Sequence, residues 1–201
     1  REPTDMSTVS TSPRATEDSV TPRRHSLTEG QKPGWTWMAV AAAAAVVAAG
    51  LTVLLNVLGD NGPVIVRWQR SRVPFMTTLA VGATLPLTQS ATGRVLLAFL
   101  PAKPATHLIE TEHTPAADLA ARLALIRSRG YDTADSTVIP GLAAISAPIL
   151  DVQDEAVAAL TLVGAGPDVR PLEQKAVDAL LATCRHVSDQ CGSTFLAALP
   201  H

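Results

Sequence analysis

The residues that could perform chemistry are scattered along this sequence and form no recognisable catalytic set. Glu110, Glu112 and His113 cluster on a polar stretch, which we interpret as a solvated loop, and no histidine has a metal-ligand spacing to a cysteine or a second histidine. Gly164-Ala165-Gly166 is half of a nucleotide-binding fingerprint, but Pro167 interrupts it, which indicates a strand-to-helix turn. The serines lack the context of a nucleophile elbow. The sequence therefore predicts no enzyme, no metal and no cofactor.

The stretch from Leu85 to Pro101 has the most informative local pattern. It predicts an extended segment, a turn of small residues and a short, mostly buried apolar helix that ends at a proline. Ser90 or Thr92 can cap this helix by accepting a hydrogen bond from an unpaired amide of its first turn. Because Ala91 and Gly93 keep the helix start slim, a backbone or a ligand can come close to it. The stretch is therefore either one wall of a ligand pocket or a buried connecting helix.

The composition argues against nucleic acid as a direct partner. The chain has 201 residues, a formal net charge of -2 and a hydrophobic fraction of 47%. Aromatic residues make up only 3% of it, too few for nucleobase-stacking platforms, and the charge gives no general attraction to phosphate. Cys184 and Cys191 lie in one predicted helix about 10 Å apart along its axis, too far for a disulfide. Two free thiols favour a reducing, cytoplasmic compartment.

The sequence divides into a tail and one domain. Arg1 to Gly34 is rich in serine, threonine, proline and charged residues and has almost no large apolar side chains. Such a segment cannot bury enough surface to offset the entropy of ordering, so residues 1–34 are predicted to be disordered. Residues 35–201 are predicted to form the folded domain.

The segment from Trp35 to Leu58 has two interpretations. It is predominantly apolar and long enough to span a bilayer, with basic residues before it, which fits a membrane anchor. However, alanine dominates its first half, and the residues from Leu51 onward favour a strand that ends at the turn Gly59-Asp60-Asn61-Gly62. We therefore favour a helix over Trp35 to Ala49, then a strand, then a hairpin into Pro63 to Gln69.

The rest of the chain predicts strands mixed with amphipathic helices. Pro148 within one strand indicates a sheet edge or a bulge. Hairpins outnumber crossovers of βαβ length, which favours an α+β domain, an antiparallel sheet with helices packed on it. The predicted elements are strands at Phe75 to Val81, Leu142 to Leu150 and Ala156 to Val163, a helix from Thr114 to Gly130, and a helix from Pro171 to Cys191.

An ordered series of short motifs resembles the effector-binding domain of IclR-type transcription regulators. The resemblance covers about Trp35 to Cys191. It implies a GAF-like α+β domain whose curved antiparallel sheet cups a small-molecule effector, and it implies homodimers or homotetramers. The family normally carries a winged helix-turn-helix domain before this one. Since residues 1–34 have neither the length nor the apolar pattern for it, we expect DNA binding only if that domain is supplied elsewhere. The motifs are Leu85-Pro86-Leu87, Ser90-Ala91-Thr92-Gly93-Arg94, Leu97-Ala98, Ile126-Arg127, Arg129-Gly130-Tyr131, Gly141-Leu142, Ile145, Ala147-Pro148, Asp151, Ala159-Leu160-Thr161 and Gly164.

The same resemblance implies the ligand-binding positions. Polar groups that suit small oxo-acids in the family are replaced at three positions by apolar residues, and only two threonines remain among the matched positions. Since an apolar wall desolvates a carboxylate with little in return, we expect a weakly polar ligand, or side chains that simply fill the core. The implied ligand-binding residues are Ser90, Ala91, Thr92, Ala134, Ala144, Thr161 and Val163.

Overall fold

A five-stranded antiparallel sheet forms the centre of the computed structural model, which describes residues 51–71, 79–111, 119–166 and 173–199. The strand order is β2-β1-β5-β4-β3. The elements are β1 (Thr52–Gly59), β2 (Gly62–Gln69), α1 (Ala91–Ala98), α2 (Ala102–Thr111), α3 (Leu119–Arg129), β3 (Asp132–Asp135), β4 (Leu142–Leu150), β5 (Ala156–Ala165), α4 (Glu173–Gln190) and α5 (Phe195–Ala198). The predicted α+β class is confirmed.

The predicted hairpin joins β1 to β2. Gly59 pairs with Gly62, and Leu58 pairs with Pro63, so Asp60-Asn61 form its tip. Gly62 adopts φ +120°, and a Cβ there would lie 2.7 Å from the Leu85 carbonyl oxygen, so glycine is required on both grounds. β1 also pairs with β5 over Thr52 to Asn56, which places it inside the sheet.

This pairing corrects the membrane interpretation. Most of the second half of the apolar segment is strand, so Trp35 to Leu58 is not one continuous membrane-spanning helix. Among the described residues, no helix is both long and apolar enough to cross a bilayer. The predicted helix over Trp35 to Ala49 and the predicted disorder of residues 1–34 lie outside the described residues. Most of the predicted strand from Phe75 to Val81 also lies outside them, and residues 79–81 are not in a strand.

The two faces of the sheet pack differently because side chains alternate along each strand. Ile145, Ala147 and Ile149 of β4 join the main core, together with Leu180 and Val187 of α4. Two hydrogen bonds fix α4 on β4: the Cys184 Sγ donates to the Ala147 oxygen at 3.8 Å, and the Leu150 amide donates to the Ser188 Oγ at 2.9 Å. The alternate side chains of β4 and β5 lie on the other face, which carries α1.

Pro148 lies where the sheet tolerates a missing amide donor. β3 pairs only with residues 143–146 of β4, so no strand of the described sheet continues along that edge beside Pro148. The register between β4 and β5 also shifts between Ile149 and Leu150. The sequence expectation of an edge or a bulge is confirmed.

Two further elements differ from the sequence expectation. Glu110 lies in α2, although a solvated loop was predicted there, while Glu112 and His113 lie outside the described residues. β3 was not predicted because it has only four residues and two of them are aspartates, which are depleted in strands.

Candidate ligand-binding site

The start of α1 is held by its cap and by a very close backbone approach. The Ser90 Oγ accepts a hydrogen bond from the Gly93 amide at 2.9 Å and donates to the Pro86 oxygen at 2.6 Å. A Cβ on Gly93 would lie 1.9 Å from the Leu87 oxygen, so only glycine allows the preceding segment to pass here. Ser90, not Thr92, is therefore the cap, and the Thr92 hydroxyl is free to point elsewhere.

A cavity of about 50 Å³ lies between the start of α1 and the sheet. This is several times the volume that one water requires. All seven residues that the sequence implies for ligand binding line it. The lining residues are Leu54, Leu79, Leu85, Ser90, Ala91, Thr92, Ala134, Thr137, Val138, Ile139, Leu142, Ala144, Thr161 and Val163.

The lining is apolar apart from hydroxyl groups. Leu54, Ala144 and Val163 come from three adjacent strands, and Val138 and Ile139 come from the connection between β3 and β4. No charged side chain is among the described residues that line the cavity. The resemblance places a family aspartate at Ala134, and the neighbouring aspartate of this chain, Asp135, is exposed and accepts a hydrogen bond from Ser136.

The hydroxyls of the cavity belong to a buried polar network. The Thr161 Oγ1 lies 2.9 Å from the Thr92 Oγ1 and 3.0 Å from the Ser146 Oγ. The Asn56 Nδ2 donates to the same Thr161 oxygen at 3.1 Å. All four side chains are at most 2% exposed. Two of them, Ser146 and Asn56, were not predicted; a polar residue in the middle of a buried apolar strand was the available signal for each.

A second polar cluster holds the elements beside the cavity. The fully buried carboxylate of Asp132 accepts hydrogen bonds from the Nε of Arg94 at 2.6 Å, from the Nε of Arg122 at 2.8 Å and from the Nη2 of Arg129 at 2.7 Å. Arg94 and Arg122 also donate to the Thr133 oxygen. This cluster joins α1, α3 and β3, and so it fixes Ala134 relative to the start of α1.

The fold defines a class, a GAF-like α+β domain, in which a cavity lies between an antiparallel sheet and a short, tightly capped helix. The chain belongs to the IclR family: residues 41–191 match the profile of the "Bacterial transcriptional regulator IclR C-terminal" domain. This domain is the effector-binding part of a transcriptional regulator, and regulators of this family bind small-molecule effectors and form oligomers. The family resemblance noted in the sequence is therefore confirmed.

Solved structures share this fold. The chain is similar to HmgR of Pseudomonas aeruginosa at 33% identity, with a TM-score of 0.71, over 80% of this chain and 68% of that one. The C-terminal domain of a transcriptional regulator from Vibrio cholerae matches at 21% identity, with a TM-score of 0.71, over 78% of this chain and 98% of that one. The IclR of Thermotoga maritima matches at 20% identity, with a TM-score of 0.72, over 81% and 70%. No individually curated protein matches the chain.

Proposed function

We propose that this chain senses a small, weakly polar metabolite, which binds in the cavity between α1 and the sheet. The observation that carries the proposal is the lining: hydroxyl groups on an otherwise apolar surface, without a charged side chain among its described residues. Ser90, Ala91, Thr92, Ala134, Ala144, Thr161 and Val163 would contact the ligand.

The surroundings of the cavity disfavour a carboxylate ligand. An ion that leaves water needs a charged partner or several strong hydrogen bonds. The nearby guanidinium groups of Arg94, Arg122 and Arg129 are already bound to the Asp132 carboxylate. A neutral ligand loses less solvation, and the apolar walls from Leu54 and Val163 stabilise it by removing its apolar surface from water.

We further propose that the ligand acts through the assembly of the chain. A ligand shifts an equilibrium only by its difference in affinity for two states. Here it would touch α1 and β3 together, and the Asp132 cluster links those elements to α3. Binding would thereby favour one homodimeric or homotetrameric arrangement in the cytoplasm, and DNA contact would be made through a winged-helix domain of the kind that the family carries before this one.

Calorimetric titration of the chain tests the ligand class. The titrants are pyruvate, benzoate and benzamide, with sedimentation velocity before and after each addition. We expect the neutral amide to bind tighter than either acid, and tighter binding of pyruvate would refute the proposal. The variant Ala144→Phe fills the cavity and should abolish binding, whereas Ala124→Phe, at an exposed position on α3, should not. Binding that survives Ala144→Phe would show that the ligand binds outside the cavity and would refute the proposed site.

A further inference from the structure

The hydrogen-bond network under the cavity has a direction, and that direction selects the ligand chemistry. Thr161 lies at its branch point, with the Thr92 hydroxyl, the Ser146 hydroxyl and the Asn56 amide around one oxygen. A hydroxyl has one hydrogen and two lone pairs. Three partners therefore use the whole capacity of Thr161, and each bond constrains the others.

The orientation of the Asn56 amide is fixed by its neighbours. Its Nδ2 lies 3.4 Å from the carbonyl oxygens of both Leu54 and Ala159. If the amide were rotated, its oxygen would face two carbonyl oxygens, which repel it. The NH2 group therefore donates to the Thr161 oxygen and occupies one of its lone pairs.

The remaining two bonds of Thr161 run in one direction. The Ser146 Oγ has a carbonyl acceptor, the Leu160 oxygen, at 3.4 Å. If Ser146 donates there, Thr161 donates to Ser146 and Thr92 donates to Thr161, so that four hydrogen bonds form with Asn56 included. If Ser146 instead donates to Thr161, only three bonds form, and the hydrogen of Thr92 finds no partner among those of the network. Buried polar groups adopt the arrangement that satisfies more of them.

This direction of the hydrogen bonds determines what the Thr92 hydroxyl can offer to a ligand in the cavity. Thr92 lines the cavity, and its hydroxyl donates its only hydrogen to the Thr161 oxygen. The Thr92 oxygen can therefore act toward a ligand only as a hydrogen-bond acceptor. We infer that the effector presents a hydrogen-bond donor to Thr92, as a neutral alcohol, a phenol or an amide N–H does, and that ketones and esters of the same shape bind less well. This inference rests on the proposed function and specifies its ligand class.

Cyclopentanol and cyclopentanone are a matched probe pair that tests this, because they have nearly the same shape and only the alcohol donates. Binding is followed by NMR, from the shifts of the amide signals of the lining residues Ala91 and Ala144. We expect the alcohol to bind roughly two- to tenfold tighter than the ketone, the effect of one neutral hydrogen bond. Thr92→Val keeps the shape and should bring the ratio close to one, while Thr92→Ser should retain it.

A variant away from the cavity separates bond direction from contact. Ser146 does not line the cavity, and Ser146→Ala removes the acceptor that fixes the hydrogen of Thr161. The alcohol preference should then shrink toward one although every lining residue is unchanged. Equal binding of both probes to the unaltered chain, or a ratio that Thr92→Val leaves unchanged, overturns the inference alone. If neither probe shifts the lining amides, the proposed function fails and the inference falls with it.

Discussion

Replacing Asp132 with asparagine should strongly destabilise the fold. Its carboxylate is fully buried and carries three arginines from α1 and α3. In Asp132→Asn, an NH2 group would stand where a carboxylate oxygen now accepts, and it would face a guanidinium donor. The variant therefore removes the negative charge and also opposes donor to donor.

The expected cost follows from which arginines can return to water. The side chain of Arg94 is only 12% exposed, so it remains largely buried after the loss of its partner. Arg129 is 25% and Arg122 is 37% exposed, so both regain hydration, and their pairs with Asp132 count for less. Leaving one buried charge uncompensated costs about 3–5 kcal/mol, so we expect the free energy of unfolding to fall by about that amount.

Urea unfolding followed by circular dichroism measures this difference. Asp135→Asn is the matched control, because Asp135 lies three residues further along the same strand and is exposed. Surface substitutions of this kind change stability by less than about 0.5 kcal/mol. If Asp132→Asn unfolds within 1 kcal/mol of the unaltered chain, on the order of a surface change, the three ion pairs do not stabilise the fold and this reasoning is wrong. Arg94→Met should recover part of the loss in the Asp132→Asn background, since it removes the unpaired buried charge.

Three smaller predictions test the helix start and the buried thiol. Ser90→Ala should lower stability by about 1 kcal/mol through the lost cap, as judged by a thermal melt, and Ser90→Thr, which keeps a hydroxyl that can accept from Gly93 and donate to Pro86, should restore most of it. Gly93→Ala should disrupt the start of α1 because its Cβ would meet the Leu87 oxygen at 1.9 Å, and a normal melting temperature would contradict the close approach. Burial raises the pKa of the Cys184 thiol above its ordinary 9.0. The contribution of this thiol to the free energy of unfolding is therefore fully present below pH 9.0. It is lost as the pH rises above that value, because only the thiol of the unfolded chain ionises there. Above that pH, the free energy of unfolding should decrease with pH more steeply in the unaltered chain than in Cys184→Ala, by up to about 1.4 kcal/mol per pH unit. Equal slopes in the two chains would contradict this.

Local residue types determined much of this fold. The turn Gly59-Asp60-Asn61-Gly62 specified the first hairpin because its end glycine adopts a backbone conformation that other residues avoid. Ser90 and Thr92 marked the start of α1 in the sequence as its two possible caps, since a cap side chain bonds an amide only two or three residues away, and Ser90 is the one that does so. The runs that became β4 and β5 could be recognised because each is a short, largely apolar stretch next to a turn signal, Pro140-Gly141 before β4 and Gly164-Ala165-Gly166 at the end of β5. These signals act within a few residues, so they can be read from sequence.

Tertiary structure alone decided which polar side chains form hydrogen bonds with one another around the cavity. Asn56 meets Thr161 across 105 residues and Thr92 meets Thr161 across 69, through strand registers that no local pattern specifies. Asp132 forms ion pairs with arginines from two helices. Its sequence neighbours, such as Tyr131, do not indicate which arginines these are. Shifting a strand by one residue turns every side chain to the opposite face, so the identity of the polar groups under the ligand depends on the global pairing. The sequence by itself therefore determined the family, four of the five strands of the described sheet and the capped helix, and the packing of distant segments decided which hydroxyls meet and which of them donate.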